Sequence, residues 1–104
     1  MSTRSIFTGA IKTIETRTEK FTVTSLSDGP FAVRIPEGGL LLGGGQRFTI
    51  LTPNLDWRGY LEVVGQLSAD GLGWEVAPPR GLQISDTGPW KGELTITVSY
   101  AVPA

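Results

Sequence analysis

This chain has no cysteine and no histidine. Without cysteine there is no disulfide, no thiolate nucleophile and no cysteine-held zinc. Without histidine the commonest general base, the commonest transition-metal ligand and the usual switch near neutral pH are all missing. A surplus of charge is missing too: Lys and Arg number 9, Asp and Glu 10, for a formal net charge of -1. No stretch gathers Lys or Arg on one strand face, so there is no electrostatic footprint for a nucleic-acid backbone. There is no basic amphipathic helix for a membrane surface. No segment approaches the roughly 18 apolar residues of a membrane helix, and Met1-Ser2-Thr3-Arg4-Ser5 leads into no apolar run of signal-peptide length. The expectation from these absences is a protein made in the cytosol, with no cofactor, no metal, no direct nucleic-acid partner and no membrane.

Helical periodicity is also lacking. The 14 Gly and 7 Pro interrupt every long run, and no window keeps apolar residues at 3.6-residue spacing. What the chain does have is alternation. Leu94, Ile96, Val98, Tyr100 and Val102 fall on one face of residues 93–102; Glu93, Thr95, Thr97, Ser99 and Ala101 fall on the other. Period-2 alternation rich in β-branched and aromatic residues marks a strand with one buried face. The second face carries a single charge, at Glu93. A freely solvated face normally carries more, so this face is expected to meet something: another part of the fold, another subunit or a polar ligand.

Further strands follow the same reasoning. Ile6 to Ile14 reads as the first, and Glu15 to Lys20 as an exposed hairpin tip or an extended arm. Phe21 to Thr24 resumes with Phe21 and Val23 inward. Ser27-Asp28-Gly29-Pro30 is a strong turn signal. Phe31, Val33 and Ile35 alternate up to Pro36, and Gln46 to Thr52 places Phe48 and Ile50 inward. Trp57 to Gly65 is apolar on both faces at Leu61, Val63 and Val64, which predicts a central strand. Leu72 to Ala77 carries Trp74, Leu82 to Ser85 is a short strand, and Asp86-Thr87-Gly88-Pro89 turns towards Trp90 and the last strand. The expected fold is one all-β domain over residues 1–104, with residues 1–5 as a flexible N-terminal arm. It is a small antiparallel β-sandwich or barrel of about seven to nine short strands, with little or no helix.

Gly38-Gly39-Leu40-Leu41-Leu42-Gly43-Gly44-Gly45 is the least usual segment. A phosphate-cradling loop needs Gly-Lys-Ser/Thr before a helix. Here Gln46-Arg47-Phe48 opens a strand, which excludes nucleotide binding of that kind. Leu40, Leu41 and Leu42 read either as a short buried strand between flexible turns or as a mobile tip that orders against a partner. Ordering so many glycines costs entropy that tight geometry or an interface has to offset. Trp57, Trp74 and Trp90 each sit beside a turn. They read as plugs at the ends of the core, or as platforms for sugar rings; Trp90, flanked by Gly88-Pro89 and Lys91-Gly92, is the leading candidate for exposure. Asp28, Asp70 and Asp86 sit at turns, where Asp bonds backbone N–H groups. No carboxylates share a catalytic or calcium-binding spacing.

In size and texture the chain resembles the small cysteine-free β-proteins of phage and other virus particles: capsid decoration proteins, head-tail adaptors, and fibre or spike domains. The resemblance carries no residue across. It implies a non-enzymatic structural protein that forms homo-oligomers and meets other particle proteins, in the virion or the host cytoplasm. The candidate interface is Leu40, Leu41, Leu42, Thr95, Thr97 and Ser99. The alternative is a carbohydrate-binding β-sandwich that uses Trp57, Trp74 or Trp90 to stack on a glycan.

Overall fold

The computed structural model describes residues 11–85 and 88–103. The expected arm over residues 1–5, the start of the first strand over 6–10, and Asp86 and Thr87 of the last turn lie outside the described residues. The described chain is all-β and antiparallel. Its strands are β1 (Ile11–Val23), β2 (Phe31–Arg34), β3 (Leu40–Ile50), β4 (Trp57–Glu62), β5 (Gly65–Leu67), β6 (Gly73–Val76), β7 (Arg80–Ile84) and β8 (Gly92–Pro103). They form a sheet of order β1-β8-β3, a second of order β2-β6-β5, and a two-stranded ribbon of β4 and β7. All three orders are open among the described strands.

β8 is central because both its edges are paired. Thr97 lies opposite Thr18 of β1 on one side and Gly45 of β3 on the other. Its apolar face points at the second sheet: Leu94, Ile96 and Val98 are fully buried, with Tyr100 nearly so. Val23 and Phe48 join them from the flanking strands, and Val33 and Val76 from the second sheet. Phe31 and Phe21, with ring centroids 5.1 Å apart, bridge the two sheets near the start of β2. Each fully buried Leu, Ile or Val contributes roughly 1.5–3 kcal/mol by leaving water. The shared core thus explains why strands as short as β2 and β6 hold together.

The two sheets differ in length. At about 3.3 Å per residue, β1, β3 and β8 run roughly 35–40 Å, whereas β2, β5 and β6 reach no more than about 13 Å. Part of the first sheet therefore has no described second layer over it. The molecule measures 53 × 27 × 17 Å with a radius of gyration of 16.6 Å, against about 13 Å for a compact domain of this size.

Three expectations are corrected. Glu15 to Lys20 is neither a hairpin tip nor an arm; it is the middle of β1, paired with β8 from Tyr100 to Thr95. Residues 15–20 are exposed on both faces and none of them is apolar, so no buried face marked the strand. Leu40 to Leu42 is neither an isolated buried strand nor a mobile tip, because β3 runs on through Gly43, Gly44 and Gly45. A register shift between Leu41 and Gly43 leaves Leu42 as the extra residue of a bulge. The segment from Trp57 to Gly65 is not a central strand. It breaks at Val63 and Val64 into β4 and β5, and β4 pairs only with β7 among the described strands.

Turn chemistry follows the residues expected. Asp28 Oδ2 accepts from the backbone N–H groups of Thr24 (2.9 Å) and Ser25 (3.1 Å). Asp70 Oδ1 accepts from the Ser68 hydroxyl (2.7 Å) and the Leu72 N–H (3.0 Å), and its other oxygen pairs with Arg34. The Asp70 carboxylate is held well below the usual carboxylate range, by the Ser68 hydroxyl first, then by Arg34 and the Leu72 N–H. It ties the β5–β6 turn to the end of β2.

Candidate interaction surfaces

The outer face of the first sheet is a hydroxyl ladder. Residues directly opposite in an antiparallel pair share a face, so Thr16 sits beside Ser99, Thr18 beside Thr97, and Lys20 beside Thr95. The Thr18 and Thr97 hydroxyls are 3.1 Å apart and those of Thr16 and Ser99 3.4 Å, each within hydrogen-bond reach. On the β3 side Gly43 and Gly45 stand opposite Ser99 and Thr97, and a Cβ on either glycine would meet nothing within 4 Å. The face is therefore flat and polar, and no described residue covers it. At one end Lys20, Arg47, Thr49, Glu93 and Thr95 surround a polar depression of about 220 Å³. There the Lys20 ammonium lies 4.0 Å from Glu93. Thr95, Thr97 and Ser99 are half-buried by these flanking strands.

The opposite face of β3 carries Gly44, whose role is packing. The Trp74 indole lies against it, and Gly65 approaches the same ring. Trp74 Nε1 donates to Gln46 Oε1 at 2.9 Å, and Gln46 Nε2 donates to the Val63 carbonyl at 3.1 Å. This chain of hydrogen bonds satisfies a half-buried indole and links the two sheets. Leu40 and Leu41 are half-buried, with Leu41 packed against the core, while Leu42 is exposed at the bulge.

The second surface is apolar. Phe48, Ile50, Trp57, Leu61 and Leu82, with Thr49, line a cleft of about 300 Å³ between β3 and the β4–β7 ribbon. The ribbon is shaped by two glycines. Gly59 (φ 90°) and Gly81 (φ 87°) are both in the left-handed region. A Cβ on Gly59 would run into the Gly81 carbonyl, and one on Gly81 into the Tyr60 carbonyl. This close crossing holds Trp57, Tyr60 and Leu61 out from the domain. Leu51, Trp57, Tyr60, Leu61 and Val64 are all exposed, Tyr60 at 72% and Trp57 at 47%.

The structure thus separates the three indoles. Trp74 and Trp90 pack half-buried against the core, as plugs would, and Trp57 is the exposed one. Trp90, expected as the leading candidate for exposure, is instead tucked against the core. Sequence reasoning missed the apolar ribbon because Leu61, Val63 and Val64 read as core. The available signal was Gly59 inside a strand pattern, which marks a bulge or a close backbone approach.

Ion pairs join Lys20 with Glu93, Arg34 with Asp70 and Arg80 with Glu62. Among the described residues no group of three or more acidic side chains could hold a metal ion, and no helix is long and apolar enough to cross a membrane. No family model, curated protein or solved structure matches the chain.

Proposed function

We propose that this chain is a non-enzymatic structural protein that assembles through β-domain contacts, with copies of itself and with other components of a particle, most simply as a virion protein. The observation that carries the reading is the run of large apolar side chains exposed between Leu51 and Val64 beside an apolar cleft. Several large apolar side chains left in water beside an apolar cleft support an interaction site, because exposing them is costly. The flat hydroxyl face with Thr95, Thr97 and Ser99 supports the same reading: it offers hydrogen-bonding groups and little charge to repel a neighbour. Light scattering after size exclusion tests it. Oligomers are expected for the wild type, with Tyr60→Ser and Leu61→Ser lowering the assembled fraction. A wild type that stays monomeric at its highest soluble concentration refutes self-assembly.

A carbohydrate-binding reading keeps one supporting observation, the half-exposed Trp57 indole at the cleft mouth. Apart from Thr49, the rest of that cleft is aliphatic and aromatic, which suits an apolar side chain better than sugar hydroxyls. Calorimetric titration with a panel of glycans tests it, and Trp57→Ala should abolish any binding found.

A further inference from the structure

The geometry points to the free edge of β1 as the surface on which a second copy of this chain docks, its own β1 antiparallel, with Thr18 opposite the partner's Thr18. This inference rests on the self-assembly reading and names the contact that would mediate it.

β1 is the outermost described strand of its sheet. One of its edges pairs with β8, and the other meets no described strand. Long unpaired edges are a hazard that proteins usually blunt with short strands, prolines, bulges or charge. This edge runs for 13 residues without proline, and its one irregularity, between Ile11 and Thr13, sits at the far end. It does carry charge, but of both signs. Glu15, Arg17 and Glu19 alternate along one face, opposite Tyr100, Val98 and Ile96 of β8.

That alternation selects a partner and a register. A two-fold axis perpendicular to the sheet keeps each face of β1 continuous with the same face of its copy. Even-numbered residues then oppose even-numbered ones. With Thr18 on the axis, Arg17 faces the partner's Glu19 and Glu19 faces the partner's Arg17. The four charges form a square in which every neighbour is of opposite sign. The registers on either side fail. With Arg17 on the axis, Arg17 opposes the partner's Arg17 and Glu15 opposes the partner's Glu19. With Glu19 on the axis, two carboxylates meet. Like charges directly opposite destabilise a strand pair. With Thr16 on the axis, Arg17 meets the partner's Glu15, and comparing Glu15→Arg with Glu19→Arg separates that register from the Thr18 one. The Thr18 register engages β1 from Thr13 to Val23. It also joins the two hydroxyl ladders into one six-stranded polar face.

The test is a charge swap read by sedimentation velocity. Arg17→Glu alone makes the edge all-acidic over these positions, and Glu19→Arg alone makes it largely basic. Each should weaken self-association roughly tenfold or more, since two attractive pairs become repulsive. Mixing the two variants in equal amounts should restore association as a heterodimer, and Arg17→Glu with Glu19→Arg in one chain should associate like the wild type. Mixing also separates this effect from folding, because Arg17 Nη1 donates to the Arg34 carbonyl within the chain. Weakened association without rescue on mixing overturns the proposal, as does a wild-type oligomer indifferent to both variants; in either case the assembly reading still stands. Glu15→Arg disrupting where Glu19→Arg does not overturns the Thr18 register. A strictly monomeric wild type overturns the assembly reading itself.

Discussion

Replacing Gly44 by alanine should be costly, whereas the same change at Gly43 or Gly45 should cost nothing. The three glycines are consecutive in β3 and identical in sequence chemistry, yet their surroundings differ. A Cβ on Gly44 would lie 2.7 Å from Cγ and 2.8 Å from Cε3 of Trp74, and closer still to Cδ2. The indole cannot yield cheaply. Gly65 approaches the same ring, and Trp74 Nε1 is committed to Gln46. Overpacking of this kind costs about 1–3 kcal/mol, and displacing the indole adds about 1 kcal/mol for its hydrogen bond. The backbone entropy saved by losing a glycine returns about 0.5–1 kcal/mol. The net expectation is a loss of about 2 kcal/mol, which is roughly 8–16 °C in Tm for a domain of this size. Gly43 and Gly45 have nothing within 4 Å of the added methyl, so their alanine variants should be neutral or stabilised by up to about 1 kcal/mol. Urea denaturation followed by far-ultraviolet circular dichroism gives the three values. Near-ultraviolet dichroism reports whether the indole has moved. If Gly44→Ala unfolds within about 0.5 kcal/mol of Gly43→Ala and Gly45→Ala, the indole is not seated on β3 and the sheet-to-sheet packing described above is wrong.

Asp70 should give the chain an acid-sensitive element. Its carboxyl is depressed in the folded state, so its stabilisation is complete above the ordinary carboxyl pKa of about 3.9. It declines as pH falls below that value, because the unfolded chain then binds the proton first. Asp70→Asn should be less stable than the wild type at neutral pH, and the gap in Tm should narrow below about pH 4; a constant gap would count against the Ser68 and Arg34 bonds. Gly81→Ala forces a side chain into both a positive φ and the Tyr60 carbonyl. It should open the β4–β7 ribbon, seen as faster amide exchange at residues 57–62 while β8 stays protected. Equal loss of protection in both would show the ribbon and core to be one cooperative unit. On β8, Ile96→Ala should cost about 2–5 kcal/mol and Thr97→Ala no more than about 1 kcal/mol. Thermal unfolding of the two compares the buried face with the hydroxyl face directly, and similar losses would contradict the facing described.

Alternation alone was enough to place the buried faces of β8 and β2, and Phe48, because each buries one face against a layer and its sequence records that asymmetry. Gly-Pro and Asp-Gly pairs marked the turns for a local reason: their backbone preferences and side-chain bonds act within a few residues. Glu15 to Lys20 went unseen because a strand exposed on both faces is held by backbone pairing to Thr95–Tyr100, and its alternation is of charge with Thr, not of apolar with polar residues. The three indoles looked alike because each sits beside a turn. Trp74 is seated by Gly44, Gly65 and Gln46, residues far from it in the chain, and Trp57 is held out by a glycine crossing between β4 and β7.

The residues alone were sufficient to establish an all-β chain with a polar face on its last strand and without histidine or cysteine. Such features depend on neighbours two residues apart or on composition, and both can be read directly. The tertiary arrangement settled what the polar face borders, which indole is open and where the apolar ribbon projects. Those outcomes depend on strand order and register, and registers are chosen by contacts between segments dozens of residues apart. The charges on β1 show the two levels meeting. Glu15, Arg17 and Glu19 are plain in the sequence, but they become a code for a partner only because β8 occupies one edge of their strand and no described strand occupies the other.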